Sequence, residues 1–358
     1  MSSGELIILD VGHGNCTIIR HGTEAIIIDA PGRPIVAKTL DELGIKSITA
    51  VLISHADSDH LSGAIAIMSS DIRPVAHVYV NPDNRTSESW RLFRVAAGLA
   101  RKKSGTAVHT SLNVVDPGEV SLQGTKLQVL FPTPELCLAT NGGLDTDGRR
   151  IDANSMSAVV LVEHDGERVC LLAADSGYHG LESMMDEKID MRAQMLVFPH
   201  HGGNVAGAGN NKTFATQLVE NVEPTVVIFS VGRGAHGTPR PEIIAGVREA
   251  MSGEPPYIAC TQLSKNCIDA LPTAKRKLNP QSDGFTKNSC CAGTITWPLK
   301  KNGIISVTNE LTDNHTNFVL KDVPLGLCHK GAAPISITMI PRVASQPVIA
   351  LTQMTSAP

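Results

Sequence analysis

Six consecutive residues, His55-Ala-Asp57-Ser-Asp59-His60, place two imidazoles and two carboxylates directly behind an apolar run at 48–53. Polar groups at that density cannot be buried without partners, and α/β proteins collect their chemistry at the carboxyl ends of strands. The segment therefore calls for a fold in which a buried strand delivers its last residues to one edge of the core. A divalent hydrolytic centre needs this combination, because several His and carboxylate ligands must converge on an ion while a position stays open for water. Read as an extended turn, the segment points His55, Asp57 and Asp59 to one side, and His60 joins from the bend. The bland alternative is a polar loop in which Ser58 or Asp59 caps a helix beginning near Leu61. Two histidines framing two aspartates exceed what a cap requires.

Short β-branched runs at 6–11, 16–20 and 25–29, separated by Gly12, Gly14 and Gly22, predict a strand meander. A helix is expected over 35–43, closed by Gly44, then the strand at 48–53, a helix at 62–69, a strand at 75–80 and a helix over 87–103. Further strands are expected at 126–131, 157–163, 168–173, 195–198 and 225–230, with helices at 213–221 and 241–251. Two strand-rich halves with helices outside predict an α/β fold, a four-layer αββα sandwich. Periodicity is lost over 264–289, which reads as an inserted loop, and a hairpin of 293–299 and 303–309 about a Lys-Lys-Asn turn follows. Residues 1–312 are expected to form one domain and 313–358 a partly flexible C-terminal extension.

With 42% hydrophobic and 18% charged residues, the chain can bury a sizeable core. Its net charge of −4 supplies no general basic surface for phosphates, so a nucleic-acid substrate needs a local patch. Arg101, Lys102 and Lys103, or Lys275, Arg276 and Lys277, are candidates, although short basic runs are ordinarily solvated surface. The first residues carry no basic leader, and the run at 6–9 is too short to span a bilayer, so a cytoplasmic protein without membrane attachment is expected. Eight cysteines in 358 residues are too sparse for a disulfide scaffold. Cys260, Cys267, Cys290 and Cys291 bracket the inserted loop, where buried thiols and a structural zinc clip are the alternatives.

Other segments carry residues of the same chemical kind: Asp10-Val-Gly12-His13-Gly14, Ile27-Ile28-Asp29, Asn154-Ser-Met-Ser157, Leu171-Leu-Ala-Ala-Asp175, Phe198-Pro-His200-His201-Gly202, Ser230-Val-Gly232 and Gly237-Thr238-Pro239-Arg-Pro241-Glu242. In this order, with the cluster at His55 to His60, they resemble the metallo-β-lactamase-fold hydrolases, specifically the soluble hydrolase domain of the competence DNA-uptake channels, ComEC type. The usual fold-family motif has His where Asp57 stands, and the competence-type subgroup carries Asp there. The resemblance runs from about residue 5 to 310.

Carried over, it implies two divalent ions, zinc or manganese: His55 and Asp57 on one, Asp59, His60 and His200 on the other, and Asp175 bridging. Asp59 is further expected to orient the attacking water or take its proton. Asp29 would orient a ligand imidazole, and His201 would contact substrate or support His200. Asn154 falls where a third His is common. Asp10 and His13, in the first glycine-bearing loop, are expected behind the ligands or at the substrate; His13, at a position held by Gln in the subgroup, can reach the site or stand as a surface-loop histidine. Thr238 replaces a His of the pattern, and His236, two residues earlier, is the candidate proton donor in its place. Three carboxylates in the set favour hard cations such as manganese and leave zinc open.

The resemblance implies a phosphodiesterase acting on nucleic acid through metal-activated water. Two alternatives stand beside it: a hydrolase of a small phosphodiester or ester, and a subunit of a multi-protein defence-type system that docks partners through 264–289 or the tail. The glycines at 202, 203, 207 and 209 precede no Lys-Ser or Lys-Thr, which argues against a nucleotide-cradling loop. Two Trp and three Tyr offer few stacking platforms for single strands.

Overall fold

Ile and Val fill successive positions of the central strands here because those strands are covered on both faces. The computed structural model describes residues 4–205, 210–234, 236–250, 255–273, 281–300, 309–323 and 325–329. Strands β1 (Gly4–Ile8), β2 (Thr17–His21) and β3 (Glu24–Ile28) form the expected antiparallel meander. Helix α1 (Pro34–Glu42) leads to β4 (Ser47–Ile53), α2 (Ser58–Ser69) to β5 (Val75–Val80), and α3 (Glu88–Ser104) to β6 (Ala107–His109). Each of these three strands pairs parallel with the one before it.

The second sheet begins with β7 (Val120–Leu122) and β8 (Thr125–Phe131), passes α4 (Pro134–Ala139), and continues through β9 (Val159–His164) and β10 (Glu167–Leu172), all antiparallel. Helices α5 (Tyr178–Asp186), α6 (Asn211–Val222) and α7 (Pro241–Glu249) then alternate with the parallel strands β11 (Met195–Val197), β12 (Val226–Phe229) and β13 (Tyr257–Cys260). Strand β14 (Ile295–Leu299) returns to the first sheet, and α8 (Asn309–Asp322) follows. The orders are β14-β1-β2-β3-β4-β5-β6 and β13-β12-β11-β10-β9-β8-β7.

Alternation along single strands sorts the core into three layers. Leu6, Ile8, Ile19 and Leu52 meet Val160, Val197 and Ile228 between the sheets. On the outer face of the first sheet, Ile7, Ile18 and Val51 pack against Leu40, Leu61 and Phe93 of α1, α2 and α3. On the outer face of the second, Phe131, Leu171 and Leu196 pack against Leu181, Phe214 and Ile243 of α5, α6 and α7. The fold is therefore the αββα sandwich.

Three local expectations change. Helix α2 begins at Ser58, four residues earlier than the apolar periodicity indicates, with Asp57 in extended conformation at its N-cap. Asp59 and His60 consequently sit on a helical first turn, not on an extended turn shared with His55. The strand at 295–299 pairs with β1 as an edge strand, and the hairpin partner expected at 303–309 falls, up to residue 308, outside the described residues. The expected domain boundary at 312 lies within α8, whose later residues Phe318 and Val319 join the buried layer beneath α5 to α7. Residues 330–358, and with them most of the expected extension, lie outside the described residues, as do 207–209 and 275–277.

Candidate metal centre

The carboxyl ends of β3, β4 and β10 and the segments after β11 and β12 bring their next residues to one edge of the sandwich. Asp29, which follows β3 with φ 57°, accepts from the Ser54 amide at 2.8 Å and the Ser54 hydroxyl at 2.8 Å. Its Oδ2 also lies 2.7 Å from His60 Nδ1. A carboxylate there fixes the ring and turns Nε2 away from it. His55 Nδ1 lies 3.0 Å from the Ser54 hydroxyl and 3.2 Å from that of Ser157. His201 Nδ1 lies 2.7 Å from the Ser230 carbonyl, which can only accept, so this nitrogen carries the proton.

The opposite ring nitrogens face one another's surroundings. His60 Nε2 stands 3.3 Å from Asp175 Oδ1 and 4.0 Å from Asp59 Oδ2. His201 Nε2 stands 3.6 Å from Asp175 Oδ1 and 3.7 Å from Asp59 Oδ2. None of these contacts has hydrogen-bond geometry: the Nε2 atoms of His55, His60 and His201 and Oδ1 of Asp175 are buried without a partner. Each such atom ordinarily costs about 1–3 kcal/mol. Four of them converging is the arrangement that a cation relieves.

Two groupings result, His55 with His60 and Asp175, and His13 with Asp59 and His201, the ligand atoms of each lying within 4.8 Å of one another. The electrostatics ask for positive charge. Burial opposes protonation of His60, yet Asp175 and Asp29 outweigh it and raise its pKa; burial likewise opposes protonation of His201, and Asp175 and Asp59 raise it. Burial disfavours ionised Asp175, but His60 and His201 hold its carboxyl well below the usual range. Burial and then His60 push His55 down to about 4. Such a donor set suits a divalent cation bound by nitrogen and oxygen.

Several residues stand elsewhere than the sequence suggested. His200, expected as a ligand, has φ 51° and places Nδ1 3.3 Å from the Asn154 side chain, outside both groupings. The backbone turn at 199–202 instead aims His201, expected in a supporting role, at the carboxylates. Asp57 Oδ2 approaches His55 Nε2 at 3.5 Å, but its Oδ1 is paired with the Arg85 guanidinium. Buried Asp10 accepts from the amides of Gly12 and Gly284 and the side chains of Gln262 and Cys290. It ties the loop around 282–290 to the first glycine loop. His236 is exposed, its ring centroid 4.5 Å from that of His13. Thr238 is buried, behind Gly203.

Sequence reasoning passed over Arg85 and Ser54, and it quoted Ser230 in a matched segment without giving it a role. Ser157 stood in a quoted segment without a role, although its hydroxyl touches His55 and accepts from the Asp175 amide at 3.0 Å. Of the cysteines bracketing the inserted loop, Cys290 turns to Asp10 and Cys291 to His315 Nε2 at 3.1 Å, Cys260 and Cys267 line one small cavity with Cys291, and none joins either grouping. Beside the centre, two clefts meet at His13 and Arg33. One, of about 440 Å³, includes Ser58 and Asp59, and the other, of about 530 Å³, includes Arg233, Lys265 and Lys287.

A family model described as the metallo-beta-lactamase superfamily matches residues 9–135, the span that carries β2 to β8 and the His55 to His60 cluster. This chain has the metallo-β-lactamase fold. Solved structures similar to it include the metallo-beta-lactamase fold protein YhfI from Bacillus subtilis, at 12% identity, 73% of this chain, 97% of that one and a TM-score of 0.44. Igni18, a metallo hydrolase from Ignicoccus hospitalis, matches at 16% identity over 70% of this chain and 96% of its own, with a TM-score of 0.41. The short form of human tRNase Z matches at 13% identity over 64% and 92%, with a TM-score of 0.37. No curated protein matches the chain. Among the described residues, no helix of this metallo-β-lactamase-fold chain is long and apolar enough to cross a membrane.

Proposed function

We propose that the chain is a metal-dependent phosphodiesterase, with nucleic acid as its substrate. The observation that carries the metal-dependent part is the convergence of four buried, unpartnered ligand atoms on His55, His60, His201 and Asp175. His55, His60 and Asp175 would hold one divalent ion and Asp59 and His201 contribute to a second, manganese or zinc. Bound there, divalent ions supply an ionised water near neutral pH and positive charge for the oxygens of the substrate. The chain's own part is orientation: Asp29 and the Ser230 carbonyl fix two imidazoles, and Ser157 sets both His55 and the backbone of Asp175. Asp59, one-quarter exposed beside the clefts, is placed to orient the water. His236, beside His13, is the candidate proton donor to the leaving oxygen.

The phosphodiester assignment rests on the sequence resemblance, on three carboxylates around the centre, and on cleft walls that bear Arg33, Arg233, Lys265 and Lys287. The test is to incubate the purified chain with single-stranded and duplex DNA and RNA, and with bis(4-nitrophenyl) phosphate, in manganese or zinc. Metal-dependent cleavage of nucleic acid, abolished by chelator and by Asp59→Ala, is expected. Cleavage that survives Asp59→Ala would sink the mechanism, and turnover of the small diester alone would overturn the nucleic-acid assignment.

A further inference from the structure

We infer that His13 is a metal ligand, completing the second ion position with Asp59 and His201, and that Asp57 lies outside the ligand set. This rests on the two-ion reading above and makes a ligand of a residue that its sequence position places only within reach of the site.

His13 Nε2 lies 3.3 Å from Asp59 Oδ2, and His201 Nε2 lies 3.7 Å from the same oxygen. Ligands bonded at ~2.1 Å in tetrahedral geometry stand about 3.4 Å apart, so these separations are those of a coordination edge. The loop is held in place from two sides. A Cβ at Gly14 (φ 120°) would meet the Asp59 carbonyl oxygen at 2.4 Å, and one at Gly232 would meet the His13 amide nitrogen at 2.4 Å. Only glycine lets the loop lie directly on the first turn of α2 and on the backbone after β12. The Ser230 hydroxyl, whose own carbonyl fixes His201, donates to the Gly14 carbonyl at 2.8 Å. One residue thus positions both imidazoles of the grouping.

Asp57 has the opposite disposition. Its Oδ1 is engaged by Arg85, which also lies 3.7 Å from Asp83. A carboxylate neutralised by a guanidinium competes poorly for a cation, since binding would break the pair and set two positive charges together. With Asn154 directed to His200, this chain lacks two of the imidazoles usual around such a centre, and His13 supplies one from a different segment.

The experiment measures metal bound per chain, by mass spectrometry of manganese- or zinc-loaded and dialysed protein and by calorimetric titration, with no substrate present. The wild type should hold two ions. His13→Gln should lose one, its affinity falling at least about tenfold, His13→Asp should recover it, and Asp57→Asn should keep both. Circular dichroism of the metal-free variants checks that the fold is intact. Two ions at unchanged affinity in His13→Gln, or an ion lost in Asp57→Asn and kept in His13→Gln, would overturn the assignment while leaving the two-ion reading standing. A wild-type chain that binds no ion would overturn both.

Discussion

Between the two sheets, histidines meet at both ends of the strands. At the end where β2 and β9 finish and β8 starts, His21 Nε2 and His164 Nδ1 share the hydroxyl of Thr125, each at 2.9 Å. At the other end, His55, His60 and His201 are equally buried, and each keeps one nitrogen bonded and the other unpartnered. One hydroxyl finishes the first cluster, because oxygen can donate to one ring and accept from the other. The second cluster is left unfinished and faced by carboxylates. Burial of imidazoles is thus common to a structural pin and a candidate metal centre. The unmet hydrogen-bonding capacity tells them apart.

Asp175→Ala gives the largest separation between the two ends. It removes the oxygen that faces both His60 and His201, so on the proposed reading it should cost about 4 kcal/mol of transition-state stabilisation, roughly 10³-fold in kcat/KM. The urea midpoint of the metal-free protein should fall only modestly, because the lost Oδ1 makes no hydrogen bond and only the attraction of the carboxylate to His60 and His201 goes with it. A variant that unfolds easily yet retains turnover would erase the distinction. Next in size is Asp29→Asn, which keeps the shape and weakens the grip on His60. Metal affinity should drop about 10- to 100-fold, read by titration against a chelator of known affinity. Unchanged affinity would show that Ser54 alone orients the ring.

Sequence made one end far more legible than the other. The run at 48–53 and the crowding at His55 to His60 expose the centre, because polar residues directly behind an apolar strand stand out at any register. Asp29 and Asp175 stand out for the same reason, each closing an apolar strand. The direction of a side chain is a different matter. His200 and His201 are adjacent and chemically identical, and the choice between them is made by a left-handed backbone turn that the glycines at 202 and 203 close. Nothing local in the sequence marks Arg85 as the partner of Asp57, since the pairing depends on how the loop after β5 returns toward α2. The start of α2 was hidden for a similar reason: Asp59 and His60 break the apolar stripe while remaining helical. The His21, Thr125 and His164 cluster was invisible, its members being up to 143 positions apart by their numbers, with Thr125 and His164 joined by strand register and His21 meeting them from the other sheet.

That hidden cluster supplies the complementary variant. Thr125→Val keeps the shape of the side chain and leaves two buried imidazoles without their shared hydroxyl, so folding stability should fall by about 1–3 kcal/mol. Turnover and metal content should be unchanged, because Thr125 lies at the far end of β8 from the centre. Chemical denaturation of the metal-free protein beside the metal titration reads both. A fall in metal affinity equal to that of Asp29→Asn would mean that the two ends are coupled through the sheets.

The smallest effect concerns protons at the same end. Burial, and then the neighbouring His164, hold the His21 pKa below its ordinary value, with Asp165 opposing them. The groups facing it are Thr125, His164 and Asp165. A histidine whose folded pKa is depressed binds protons more readily in the unfolded chain, whose value is about 6.5. Its contribution to stability is therefore present above that pH and is lost as the pH falls through it toward the folded value. The urea midpoint of metal-free protein should decline between pH 7.5 and 5.5, and His21→Gln, which has no proton to gain, should decline less steeply. If the two slopes coincide, the acid sensitivity belongs to the unpartnered cluster at the metal end, and the pin at His21 is indifferent to pH.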